Sequence, residues 1–182
     1  MKNINRIILS AFLLLLTASF GCVPIMSSDS RSSAGRLVEL DLSHASIVLD
    51  EDSHGGFHGD GTWLLILGCK DVSTSPFTVT DEHGKQSAMT VSIADSIASN
   101  KHWHSLPMSG NVSELVKRTY YENTCESFFP EITNGYYYFK DRSSEAVDRY
   151  SDSEVYNRYS FNYTLAVYDS DTDMLYICVL DT

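Results

Sequence analysis

The segment GTWLLILGC at 61–69 constrains the fold more than any other stretch. Its side chains are apolar on both sides of a pleat: Trp63, Leu65 and Leu67 on one, Leu64 and Ile66 on the other. Successive strand side chains point to opposite faces, so a strand of this kind belongs in the interior of a sheet. A chain of 182 residues is long enough to build one core around it, with short extensions.

Other segments supply partners. Leu37 to Leu42 alternates Val38, Leu40 and Leu42 against Glu39 and Asp41, the pattern of a half-buried strand. Ile47-Val48-Leu49 adds a short apolar patch. Phe77 to Thr80 alternates and runs into the turn Asp81-Glu82-His83-Gly84, with Met89 to Val91 as the returning strand. Asn134-Gly135 leads into the run Tyr136 to Phe139. Phe161, Tyr163, Leu165 and Val167 alternate with Asn162, Thr164 and Ala166; Asp169 to Asp173 turn the chain, and Met174 to Leu180 return it as a hairpin. Two stretches read as short helices. One starts at Ser92, with Asp95 completing a capping box and Ile93 and Ile97 on one stripe; the other starts at Asn111. Residues 143–157 are polar and acidic and read as a surface loop. The expected fold is α+β: a mostly antiparallel sheet with one or two short helices against one face.

The N-terminus reads as an export signal. Lys2 and Arg6 precede the apolar run Ile7 to Ala18, which is shorter than the ~20 residues of a membrane-spanning helix. Ser19-Phe20-Gly21-Cys22 resembles a lipobox, with Ser19 at the position where Leu is usual. The expected organisation is a signal peptide at 1–21, a flexible polar tether at 22–36 and one α+β domain at 37–182. Cys22 is the expected lipidation site, and it would anchor the chain at the outer side of the membrane in the cell envelope. The alternative is plain secretion.

Charge and motifs narrow the function. The net charge of −11 argues against nucleic acid as a partner, because phosphate binding needs a basic face. Removing 1–21 takes away two basic residues and no acid. Of the remaining cysteines, Cys69 and Cys178 read as small apolar strand residues, and one disulfide among Cys69, Cys125 and Cys178 stays open. No nucleophile-elbow, phosphate-loop or zinc-protease motif occurs. The most chemical stretch is DEDSHGGFHGDG at 50–61. Its His54, His58 and Asp60 are of metal-ligand type, and His102 and His104 of KHWH could complete a divalent metal site from another loop. The solvated glycine-rich connection is the favoured reading of the same residues. Asp169-x-Asp171-x-Asp173 opens like a calcium loop but has Met174 where Gly is needed, so a hairpin turn explains it better. The tyrosine-rich C-terminal third reads first as sheet packing and second as a recognition face.

The segments HGGFHGDG (54–61), KHWHSLP (101–107), PEITNGYYYFKDR (130–142) and YDSDTDMLYICVLDT (168–182) resemble a group of small bacterial exported proteins and lipoproteins. The resemblance implies the address and a single compact domain; it carries no activity and no site residue. The function expected is a non-enzymatic binding or interaction module with a protein or small-molecule partner. The alternative is a metal-binding protein or metal-dependent enzyme built on His54, His58 and Asp60.

Overall fold

A computed structural model describes residues 29–55, 59–121 and 124–182. The export signal, Cys22 and His58 lie outside these residues. Six strands form one fully antiparallel sheet: β1 (Ser46–Asp52), β2 (Gly61–Gly68), β5 (Trp103–Ser105), β6 (Gly135–Asp141), β7 (Tyr163–Asp169) and β8 (Met174–Asp181). Their order across the sheet is β1-β2-β8-β7-β6-β5. A separate two-stranded sheet pairs β3 (Phe77–Thr80) with β4 (Gln86–Met89). Three short helices complete the α+β fold among the described residues: α1 (Ser30–Val38), α2 (Ile93–Ser99) and α3 (Gly110–Lys117). None of them is long and apolar enough to cross a membrane.

The two-faced apolar strand is interior, as its pattern requires. β2 lies between β1 and β8 and pairs with β8 from Gly61–Asp181 to Gly68–Met174. Leu65 and Leu67 pack with Ile177, Ala166, Tyr138 and Trp103 beneath α1 and α2. Leu64 and Ile66 pack on the other face with Val167, Cys178, Phe139 and the α3 residues Val112 and Leu115. Helices therefore cover both faces, where the sequence suggested one. An apolar stripe on each side of the central strands leaves no face that water could cover cheaply.

The N-terminal boundary differs most from expectation. The tether read at 22–36 gives way at Ser30 to α1, and Leu37 to Leu42 is helix end and turn, not strand. The sequence SRSSAGRLV has poor intrinsic helicity, so its helix is held by burial. Ala34 and Val38 are fully buried, and Leu42 continues the same four-residue spacing into the core. Asp29 caps the helix by accepting from the Arg31 amide. Glu39 then turns left-handed at φ 62, and the Leu40 amide closes back on the Gly35 carbonyl at 3.0 Å. A Cβ on Gly35 would lie 2.5 Å from the Leu40 carbonyl oxygen, which explains the glycine in a helix.

Other local expectations hold with small shifts. Ser92 caps α2 by accepting from the Asp95 amide at 3.0 Å. α3 is capped by Ser109 instead of beginning at Asn111. The β7–β8 hairpin closes at the Asp169–Met174 pair. The 143–157 segment is loop with one 3-10 turn at Val155–Asn157.

Leu65 is fully buried in the middle of the sheet. Leu65→Asp buries an unpaired charge and should remove most or all of the ~5–15 kcal/mol that holds a domain together. Asp171→Ala in the exposed hairpin turn should cost ~1 kcal/mol or less. Similar thermal midpoints for the two variants would show that the core lies elsewhere.

Candidate functional site

Two carboxylate–imidazole groups stand out. The first surrounds Glu39 at the C-terminal end of α1. Its Oε2 accepts from His102 Nδ1 at 2.6 Å, and its Oε1 accepts from the Tyr150 hydroxyl at 2.5 Å, Lys140 Nζ at 3.3 Å and the Tyr138 hydroxyl at 3.4 Å. The donors come from β6, from the residue before β5 and from the 143–157 loop. The His102 ring stacks on Tyr150 at 3.5 Å with the planes 10° apart, and Lys140 sits 5.3 Å from the Tyr150 ring centre. Asn100 tightens the arrangement: its side-chain amide donates to the Glu39 carbonyl, and its carbonyl oxygen accepts from the His102 amide.

The electrostatics follow from this crowding of donors. Burial alone would raise the Glu39 carboxyl, but hydrogen bonds from Tyr150, His102 and Lys140 overcome it and bring the pKa from its ordinary 4.5 to about 2. Burial beside that carboxylate pushes the Tyr138 phenol well above its usual range. Three donors crowd Oε1 of Glu39, while His102 is the donor at Oε2. Held at a pKa of about 2, the carboxylate is a weak base near neutral pH. The Glu39–His102 couple resembles the carboxylate–imidazole half of a catalytic triad.

The second group surrounds His54, just beyond β1. Its Nδ1 meets Asp52 at 2.6 Å and its Nε2 meets Asp181 at 3.2 Å. Arg142 holds the other oxygen of Asp181 at 2.8 Å. Both ring nitrogens are thus engaged by carboxylates from two strands. The link joins β1 to β8 around the end of β2, where Gly61 packs against His54 so closely that a Cβ would meet its Cα at 2.5 Å.

The residues read as metal ligands are not drawn to one point. His54 lies against the end of β8, whereas His102 and His104 flank Trp103 at the start of β5. β8 and β5 are three strand spacings apart, roughly 14 Å, while ligands sit ~2 Å from a metal. His102 faces Glu39, and His104 leans on Tyr137 with ring centres 5.4 Å apart. Asp60 is exposed. Among the described residues, no group of three imidazole, thiol or carboxylate side chains has metal-binding geometry.

The remaining chemical residues are also committed to structure. Asp169 accepts from the Asp171 amide and the Thr172 hydroxyl, Asp171 from Asn134, and Asp173 from the Tyr168 hydroxyl. Cys69, Cys125 and Cys178 are free thiols. Burial pushes Cys69 and Cys178 up to about 12, so neither supplies a thiolate nucleophile. Tyr138, Tyr163 and Tyr168 are buried sheet-packing residues; the exposed tyrosines, Tyr120, Tyr156 and Tyr159, lie outside the sheet. The Glu39 cluster escaped sequence reading because four separate segments build it, and no spacing announces such a site. The sequence of the chain matches no protein-family model and no curated protein, and its fold matches no solved structure.

Two outcomes are expected. A carboxylate whose folded pKa is depressed stabilises the fold above its unfolded pKa and loses that contribution as pH falls through the folded value. Stability should therefore decline between pH 4.5 and about 2 as Glu39 protonates, and Glu39→Gln should flatten that part of the pH profile of the thermal midpoint. Asp41, also held low by hydrogen bonds from Ser43 and Ser75, leaves a residual slope. An unchanged profile would show that Glu39 is not held ionised. Elemental analysis of protein purified without chelator should give no stoichiometric transition metal; zinc lost on His54→Ala would reverse that reading.

Proposed function

We propose that the chain is an exported, lipid-anchored binding module of the cell envelope, without catalytic activity. The observation that carries the non-catalytic part is that both carboxylate–imidazole groups are tied into the structure as links between segments. Glu39 accepts from four donors, its pKa is held at about 2, and His54 is engaged at both nitrogens, so each group joins segments of the fold. The export part rests on the charged n-region, the apolar run Ile7 to Ala18 and Cys22 directly after it.

The start of α1 refines the anchor. Asp29 caps that helix only seven residues beyond Cys22, and seven extended residues reach at most ~25 Å. An acylated Cys22 would hold the domain close to the membrane. Two acyl chains anchor stably at ~0.8 kcal/mol per buried CH₂, where one is marginal. The acidic domain would not adhere to anionic lipid by charge.

Intact mass of the protein from its native host tests the anchor. A mass increase matching diacylglycerol at Cys22, with detergent-phase partitioning lost in Cys22→Ser, is expected. A soluble form with unmodified Cys22 would leave a secreted module. The binding part is tested by purifying the intact chain from its native envelope and analysing what accompanies it. A stoichiometric protein or small molecule is expected, and its consistent absence would count against a binding role.

A further inference from the structure

We propose that the cleft between the 143–145 loop and the 157–162 segment is a binding site for a neutral oligosaccharide. This rests on the reading of the chain as a binding module and names the ligand class. The cleft encloses about 470 Å³, within the ~300–1,000 Å³ typical of small-ligand pockets. Its walls are hydroxyls, carboxamides, one aromatic ring and the charged side chains of Glu145 and Arg158, in contrast to the apolar lining of most such pockets.

The floor is fixed in advance. Asn162 accepts from the Thr182 amide and donates to Ser160, whose hydroxyl donates to the Thr182 carbonyl at 2.6 Å. Arg158 is held by an ion pair with Asp141, which is 2% exposed. The Arg158 Nε and Nη1 atoms remain buried without an acceptor. Groups already in place lose little entropy on binding.

The rim is free to bind. The side chains of Ser144, Glu145 and Asn157 line the cleft with no protein partner among the described residues. Together they offer donors and acceptors at short spacing, which suits vicinal hydroxyls. Tyr159 adds a fully exposed ring at the same cleft. An exposed aromatic face can stack on the apolar C–H face of a sugar ring, which takes apolar surface of both out of water. A second exposed ring, Tyr156, touches Phe161 edge-on at 6.3 Å beside it.

The charge excludes an anion as the preferred ligand. The Arg158 charge is neutralised by Asp141, and Glu145 adds a negative charge at the rim. Phosphate or a nucleic acid would meet a neutral-to-negative surface. A neutral polyhydroxylated ligand meets complementary hydrogen bonds and a stacking ring.

The test is titration of the full chain with a panel of cello-, malto-, xylo- and chito-oligosaccharides, followed by NMR shifts and calorimetry, with inorganic phosphate as the anionic control. One class in the panel should bind and shift residues 143–145 and 157–162. Tyr159→Ala should weaken binding at least tenfold and leave the thermal midpoint unchanged, because the ring is fully exposed; Asn157→Ala should weaken it less. Binding that survives Tyr159→Ala would place the site elsewhere and overturn the inference. So would tighter binding of phosphate than of any sugar, or no binding across the panel. If the panel fails while a stoichiometric component still accompanies the native chain, the inference falls and the binding-module reading stands.

Discussion

The Glu39 carboxylate is the point on which the arrangement of the outer segments depends. Glu39 follows a helix with little intrinsic stability, yet its side chain reaches strand β6, the residue before β5 and the 143–157 loop at once. The hydrogen bonds do three jobs. They fix where α1 ends over the sheet, they hold the short edge strand β5 in register through His102, and they pin the long acidic loop at Tyr150. A second ion pair, Asp141 with Arg158, pins the far end of that loop. A polar loop that would otherwise lie free is therefore clamped at two positions, and the cleft at its end has a defined shape.

The interior of the fold was legible in the sequence, and the clamps were not. Strand β2 declared itself because apolar side chains on both pleat faces admit only an interior position. The β7–β8 hairpin declared itself through strict alternation around a turn of aspartates, and α2 through Ser92, Asp95, Ile93 and Ile97. Each of these signals is local. The helix α1 was hidden because Ser- and Gly-rich composition reads as a linker, while the buried Ala34 and Val38 that stabilise it depend on a sheet contributed by residues far along the chain.

The histidines teach the same lesson in reverse. His54 is locally surrounded by acids and glycines, which suggests a metal loop. In the fold its partners are Asp52, two residues away, and Asp181 on a strand at the opposite end of the chain. His102 stands in a motif with His104, but it lies in the turn before β5 and meets Glu39, whereas His104 within the strand leans on Tyr137. Pattern favoured a solvated glycine-rich connection, whereas in the fold His54 is paired at both nitrogens. Only the sheet order decides with whom the histidines pair.

The pairing of β2 with β8 also sets when the molecule can fold. The inner edge of β2 has no partner until β8 emerges on the order of a hundred residues later, so the centre of the sheet is closed by a strand pairing more distant in sequence than any other in the six-stranded sheet. The hairpin β7–β8 can form early by itself, but no stable core exists before β2 and β8 meet. Such a topology delays collapse into the native state during synthesis. For a chain that is threaded through a membrane in extended form, as the export proposal requires, that delay keeps the polypeptide open until translocation is nearly finished. The energetic cost of a non-local sheet thus becomes a timing device.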